Sequence, residues 1–264
     1  MELKGKVAVV IGAATGIGAG LCRALTARGA TVHMCDRDVA GAQALAEALR
    51  CNGAEACVHD VDVVNEASLQ AAESAIRAQR GRIDLVLANA GVISLKPFVE
   101  TTAQDWQWIM GVNLVGCANS VRAFLPGLRR QETASRIVVT SSVAALRTPD
   151  MVGQTMYMAS KFAQLGFCNA LRTELAEGPV GLSVVFPGPV ASKLREKSEL
   201  SRPGAVKVDV PKAVIGASSM SPEEAGERIV RGVEREQPFI TTHPGDGPLV
   251  REAQLAILTA FEED

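Results

Sequence analysis

The chain reads as an α/β protein, a doubly wound parallel sheet of about seven strands with helices on both faces. Three observations predict this class. Short β-branched runs alternate with helix-length amphipathic stretches from end to end. A glycine cluster directly follows the first apolar run. No internal repeat or linker divides the 264 residues, so 1–264 is expected to form one domain. Strand–helix alternation of this kind gives a parallel sheet covered on both faces, and right-handed crossovers wind it twice.

The elements follow in order. Val7–Ile11 is an unbroken apolar run, the pattern of a strand buried on both faces. Residues 17–28 predict a helix stopped by Gly29. Residues 31–35 predict the second strand, and an Ala-rich helix spans about 39–50. A third strand is expected over 54–59, a third helix over 65–80 and a fourth strand over 83–88. Residues 103–130 read as one long helical region, which Pro126 is expected to bend or end. A fifth strand (137–140), a helix over 155–177 ended by Gly178-Pro179, a sixth strand (182–186) and a short seventh, Phe239–Thr241, complete the sheet. The segment 187–221 is rich in Pro, Ser, Gly and charge. A connection that long in a compact domain reads as a lid or binding loop, here about 192–221. A helical tail is expected over about 247–262.

Composition excludes several classes. Hydrophobic residues are 47% and charged residues 21%, so the chain is not disordered. With 27 basic and 29 acidic side chains, no charge excess points to nucleic acid or an anionic membrane. No stretch reaches 18 apolar residues, and the reading is cytoplasmic. The six cysteines form no C-x-x-C pair and read as reduced, mostly buried thiols. The three histidines are scattered, so no metal site is expected.

After the first strand comes Gly12-Ala-Ala-Thr15-Gly16-Ile17-Gly18, a G-x-x-x-G-x-G loop. Glycines permit a tight turn and close backbone approach to a pyrophosphate, and the following helix aims its N–H groups and dipole at that anion. This predicts dinucleotide binding on a Rossmann-like sheet. Asp36 ends the second strand, 18 residues after Gly18. A carboxylate there accepts from the adenosine ribose hydroxyls and repels a 2′-phosphate, which favours NAD. Arg37 follows and would suit the 2′-phosphate of NADP, and Asp36 could instead simply cap the next helix.

Tyr157 is the only tyrosine in the chain. In Tyr157-Met-Ala-Ser-Lys161 the spacing of four places both side chains on one helix face. A phenol with a pKa of about 10 is poorly matched to neutral acid–base work, and a nearby ammonium lowers it. By itself such a pair is common by chance and reads as an ordinary helix-surface contact.

Taken with its neighbours, the chain resembles the short-chain dehydrogenase/reductase family from about Lys6 to Ser192. The glycine loop matches the family's cofactor motif, and Asn89-Ala90-Gly91 its N-A-G motif. Asn113 matches the helical asparagine, and Ser141-Ser142 the catalytic serine, with Ser142 chosen by position. Pro187-Gly188-Pro-Val190 matches the P-G motif, and Ser192 stands where a threonine often contacts the nicotinamide carboxamide. The resemblance implies that Tyr157 exchanges a proton with the substrate oxygen. Lys161 lowers its pKa and holds the nicotinamide ribose. Ser142 steadies the substrate oxygen, and Asn113 supports a water linking Lys161 to solvent. Asp62 and Val63 would border the adenine.

Some positions depart from the pattern. Ile11 and Ala88 replace a threonine and an asparagine usual in the family. Ser142 and Tyr157 are 15 residues apart, longer than the usual spacing, with the extra residues around 149–153. The tail lacks the glycine pair common after the last strand. This points by analogy to oxidation of a bulky, largely apolar secondary alcohol, an aryl carbinol or steroid-like compound. Val92, Ser94, Ala144, Met151, Gln154 and Leu194 are candidate pocket residues, and ordinary loop packing is the alternative for each. Apolar Val206, Val208, Val210, Val214 and Ile215 among the charges of the lid would make it an amphipathic flap over the pocket, and a disordered surface loop is the equal alternative. Small Ala159, Ala163, Gly166 and Ala170 would allow a homodimer or homotetramer to pack through the helices of 103–130 and 155–177. The competing readings are an NADPH-dependent ketoreductase, a non-catalytic dinucleotide-binding regulator, an enoyl reductase and a sugar-nucleotide epimerase. The intact Tyr157, Lys161, Ser142 and Asn113 argue against the regulator.

Overall fold

The computed structural model describes residues 1–131, 133–147, 152–202 and 219–262. Met151, the region of Pro149, and the lid residues Val206, Val208, Val210, Val214 and Ile215 lie outside the described residues.

Seven parallel strands form one sheet in the order β3-β2-β1-β4-β5-β6-β7. These are β1 (Val7–Ile11), β2 (Thr31–Asp36), β3 (Ala56–Asp60), β4 (Leu85–Ala88), β5 (Ser135–Thr140), β6 (Val180–Phe186) and β7 (Phe239–Thr241). All seven sit within about two residues of the predicted bounds at each end. The period of two sorts β1 between the two faces. Ala8 and Val10 join a core with Leu21, Leu25, Leu45 and Ile229. Val7, Val9 and Ile11 join the opposite core with Leu69, Ile76, Phe124 and Leu171. Burial of every β1 residue explains its unbroken apolar run.

Helices α1 (Gly16–Thr26), α2 (Val39–Cys51) and α3 (Glu66–Arg80) lie close to expectation. Asn65 caps α3 by accepting from the Ala67 N–H at 3.1 Å. The region 103–130 is not one helix. It divides into α4 (Ala103–Met110), a π turn (Gly111–Val115) and α5 (Gly116–Arg130). Pro126 neither ends nor replaces the helix, which runs four residues further. Proline removes one backbone donor there, and burial of Val121, Phe124 and Leu128 on the sheet holds the rest. The interruption falls instead at the π turn, which carries Asn113.

Helix α6 (Thr155–Glu174) follows. The segment expected to be irregular contains α7 (Leu194–Ser201). The sequence reading assigned no element between that segment and β7, but α8 (Pro222–Glu234) lies there. Its signals were legible: Ser221 caps it by accepting from the Glu224 N–H at 3.1 Å, Pro222 opens it, and Ala225, Ile229, Val230 and Val233 recur on a buried face. It packs directly on α1 where Gly20 meets Gly226. A Cβ at Gly20 would fall 1.8 Å from the Pro222 carbonyl oxygen. The tail forms α9 (Gly247–Thr259), which buries none of its residues.

All six cysteines are free thiols. Cys22, Cys35, Cys117 and Cys168 are buried, Cys57 is half-buried and Cys51 exposed. His33 and His59 are not scattered in space: neighbouring strands place Nδ1 and Nε2 at 2.9 Å. Among the described residues no helix is long and apolar enough to cross a membrane.

Candidate active site

A cleft of about 250 Å³ opens at the carboxyl ends of β1 and β4, the neighbours between which the strand order reverses. Doubly wound sheets place ligands at this switch point. The cleft is lined at one end by the glycine loop and Asp36, and at the other by Ser142, Tyr157 and Lys161.

Gly12 has φ +83°, and a Cβ there would lie 2.6 Å from Ala90 Cα. Only glycine meets both demands. The loop is tied to the turn after β4, where Asn89 Nδ2 donates to the Gly12 carbonyl at 2.9 Å. Thr15, Gly16 and Ile17 line the cleft, as do Arg37, Asp62, Val63, Ala90, Gly91, Pro187, Gly188, Val190 and Ser192. Gly18 does not. It packs beneath the loop, where a Cβ would strike the Gly12 carbonyl at 1.8 Å. No side chain caps the first turn of α1. Its N–H groups are therefore left to an external acceptor, which suits a diphosphate.

Asp36 is not the cap of α2. That role belongs to Asp38, which accepts from the Gly41 N–H at 3.0 Å. Asp36 instead accepts from the N–H groups of Ala14 at 2.8 Å and Asp38 at 2.9 Å, which holds its carboxylate in the cleft wall. Asp38 also forms an ion pair with Lys197 of α7, and that ammonium holds its carboxyl below the usual range. Ser198, buried, accepts from the Ile93 N–H at 3.0 Å. Through these contacts α7 forms part of the cleft rim. Lys197 and Ser198 were not legible in the sequence, because nothing local to α7 indicates that Asp38 and Ile93 meet it.

At the far end, β5 delivers both serines, and their directions separate them. Ser141 Oγ turns inward and donates to the Lys161 carbonyl at 3.1 Å. Ser142 faces the Tyr157 phenol and acts to lower its pKa. The Lys161 Nζ lies 5.7 Å from the Tyr157 ring centre. It donates to the Thr140 carbonyl at 3.2 Å and to Gln164 Oε1 at 2.9 Å. Burial pushes the lysine down to about 8. Burial also raises the phenol, and Ser142 only partly offsets this. In the protein alone the phenol is thus raised rather than lowered, because burial outweighs the effect of Ser142.

Asn113 is fully buried and does not line the cleft. Its Oδ1 accepts from the Val92 N–H at 2.7 Å, and its Nδ2 donates to the Val92 carbonyl at 2.9 Å and to Ser160 Oγ at 2.8 Å. Of the candidate pocket residues, Val92 and Leu194 line the cleft and Ser94, Ala144 and Gln154 do not. Ser94 is buried, Ala144 donates its N–H to Ser142 Oγ at 3.1 Å, and Gln154 precedes α6. Strand-end sequence cannot tell lining from packing, since both require the same small residues. Among the described residues no three His, Cys, Asp or Glu side chains gather as a metal site.

This fold and cleft define a dinucleotide-binding α/β oxidoreductase. Residues 6–202 match the family model of the short chain dehydrogenases. The oxidoreductase UcpA of Salmonella typhimurium is 31% identical over 247 residues, covering 91% of this chain and 92% of its own. The D-threitol dehydrogenase of Mycolicibacterium smegmatis is 35% identical over 200 residues, 75% of each chain. A short chain dehydrogenase/reductase from Burkholderia phymatum in complex with NAD superposes with a TM-score of 0.91 at 29% identity, over 98% of this chain and 96% of that one. The chain belongs to the short-chain dehydrogenase/reductase family, oxidoreductases that use a nicotinamide dinucleotide.

Proposed function

We propose that this protein is an NAD-dependent dehydrogenase that interconverts a secondary alcohol and its ketone. The observation that carries the reading is the placement of Ser142, Tyr157 and Lys161 together at one end of a cleft whose other end holds the glycine loop and Asp36. The uncapped first turn of α1 would hold the diphosphate, Asp36 the adenosine ribose and Lys161 the nicotinamide ribose. Asp62 and Val63 would border the adenine, and Ser192 the carboxamide. When bound, the nicotinamide supplies the hydride acceptor or donor. Tyr157 gives or takes the proton at the substrate oxygen. Ser142 donates to that oxygen and steadies charge developing on it. Lys161 keeps a positive charge behind the phenol, and Asn113 braces Val92 and Ser160.

A bulky, largely apolar substrate is supported by Val92 and Leu194 in the wall and by the cluster of Val92, Trp108, Ile109 and Met156 against Tyr157. The segment 192–221 would serve as its lid, with α7 as the described part. The helical tail 247–262 would flank the site, since Gln254 Nε2 donates to the Leu146 carbonyl at 3.2 Å, four residues after Ser142. A cytoplasmic location accords with the free thiols.

A second reading, an NADPH-dependent ketoreductase, is favoured by Arg37 and Lys197 in the cleft wall. The 3-oxoacyl-[acyl-carrier-protein] reductase FabG of Vibrio harveyi is 30% identical over 91% of this chain. Calorimetric titration with NADH and NADPH side by side separates the two. NADH is expected to bind at least about tenfold more tightly, since a 2′-phosphate would meet the Asp36 carboxylate. Tighter NADPH binding would establish the second reading, and binding of neither would leave a non-catalytic protein.

Assembly as a homodimer or homotetramer is proposed through α5 and α6. Phe162 on α6 is 45% exposed and Val115, the last residue of the π turn before α5, 49%. Ala159, Ala163, Gly166 and Ala170 lie on α6, and a Cβ at Gly166 would meet open space. Light scattering coupled to gel filtration is expected to give a mass of two or four chains. A single-chain mass across all concentrations would exclude the proposal.

A further inference from the structure

The buried side of Lys161 is occupied by a side chain that no motif picked out. Gln164 lies three residues further along α6 and is completely buried. Its Oε1 accepts from Lys161 Nζ at 2.9 Å, and its Nε2 donates to the Asn113 carbonyl at 2.7 Å. One amide thus spans from the lysine to the π turn. The Asn113 side chain is fully engaged with Val92 and Ser160. Its carbonyl is therefore the group left to face the lysine, and Gln164 holds it, in place of the water that the family resemblance led us to expect on Asn113.

A water in that position would both donate and accept, and could pass a proton from Lys161 onward. A carboxamide accepts only at oxygen and donates only at nitrogen. It fixes the ammonium without relaying its proton, because transfer through it would require the imidic acid form. We propose that Gln164 is a positioning residue that locks Lys161 beneath Tyr157 and seals the inner proton route, so that Tyr157 exchanges its proton with solvent from the cleft side alone. The proposal rests on the acid–base reading of Tyr157 and Lys161 given above.

The titratable groups facing Lys161 are Tyr157 on its own helix and Cys117 on α5. Burial pushes the Cys117 thiol up to about 11, so it is neutral at working pH. With no carboxylate in this group, the ammonium acts on the phenol without a counter-charge, and Gln164 supplies orientation only.

Two variants test this in the full-length enzyme oxidising an alcohol with NAD. Gln164→Glu keeps the shape and sets a carboxylate against Lys161. It is expected to move the midpoint of the alkaline rise in kcat upward by about one unit, since the carboxylate cancels the ammonium's pull on the phenol. Gln164→Met keeps the length but loses both bonds. It is expected to lower kcat about tenfold while leaving KM for NAD within about threefold, as expected for loss of alignment at an acid–base group. Both variants should melt cooperatively. If the pH profiles and kcat of both folded variants overlay the parent, Gln164 is packing and the proposal fails. If only Gln164→Met folds, an unchanged kcat overturns it equally. An active Tyr157→Phe would instead overturn the acid–base reading while leaving the Gln164 contacts as they are.

Discussion

Tyr157→Phe is expected to lower kcat by about three orders of magnitude, the range of a well-placed general acid or base. The substitution removes one oxygen and leaves the ring. That ring packs at the edge of the Val92, Trp108, Ile109 and Met156 cluster, so the fold should persist with a melting temperature within a few degrees of the parent. Ser142 keeps its bond from the Ala144 N–H. Lys161 keeps both acceptors, Thr140 and Gln164, neither of which touches the phenol oxygen. NADH affinity should therefore remain within about threefold, because the diphosphate and ribose contacts are made elsewhere in the cleft. The chain holds no other tyrosine to take over. Loss of turnover with binding retained assigns the proton transfer to Tyr157. Turnover within about tenfold of the parent would assign it to another group. Because burial raises the phenol in the protein alone, the parent's alcohol oxidation should climb steeply on the alkaline side, and this limb should vanish in any residual activity of the variant.

Gly20→Ala is expected to cost about 3 kcal/mol or more, although the site is remote from the chemistry. The added Cβ would fall 1.8 Å from the Pro222 carbonyl oxygen, and a Cβ at Gly226 would fall 2.2 Å from the Gly20 carbonyl carbon. Both obstacles are backbone, so no rotamer change relieves them. Either α8 lifts off α1 or α1 shifts against the sheet. Lifting α8 exposes Ile229, Val230 and Val233, now fully buried. For a chain of this size the loss corresponds to a fall of roughly 10 °C in melting temperature. Gly247→Ala is the control: its Cβ would meet nothing within 4 Å, and its effect should be within about 2 °C. Equal melting temperatures for the two variants would mean that the α1–α8 contact gives way without cost. Since α1 also presents the glycine loop, a shifted α1 should weaken NADH binding in Gly20→Ala as well.

Most of the fold was legible in the sequence because its signals are local. A strand buried on both faces must be apolar throughout, and β1 is. A crossover helix must be amphipathic, and α2 and α3 are. The segment around α7 was misread because Leu194–Ser201 buries a single residue, Ser198, and so carries no apolar stripe. Helix α8 was overlooked although its cap and stripe are present. The break at Gly111–Val115 could not be read, since a π turn leaves no compositional trace.

The sequence by itself determined the parallel α/β sheet, the glycine loop before α1 and the pairing of Tyr157 with Lys161 on one helix face. Each depends on residues within about one turn or strand of one another. Motif position had singled out Ser142, but only the tertiary structure showed Ser141 Oγ turned to the Lys161 carbonyl, and only it decided that Asp38 rather than Asp36 caps α2. It also decided that Gln164 bridges Lys161 to Asn113. These outcomes turn on the direction of one side chain toward its partner, which for Gln164 and Asn113 lies 51 residues away. Direction at a strand end or on a buried helix face is set by how the elements pack, and two neighbouring residues of the same type carry no local difference that could reveal it.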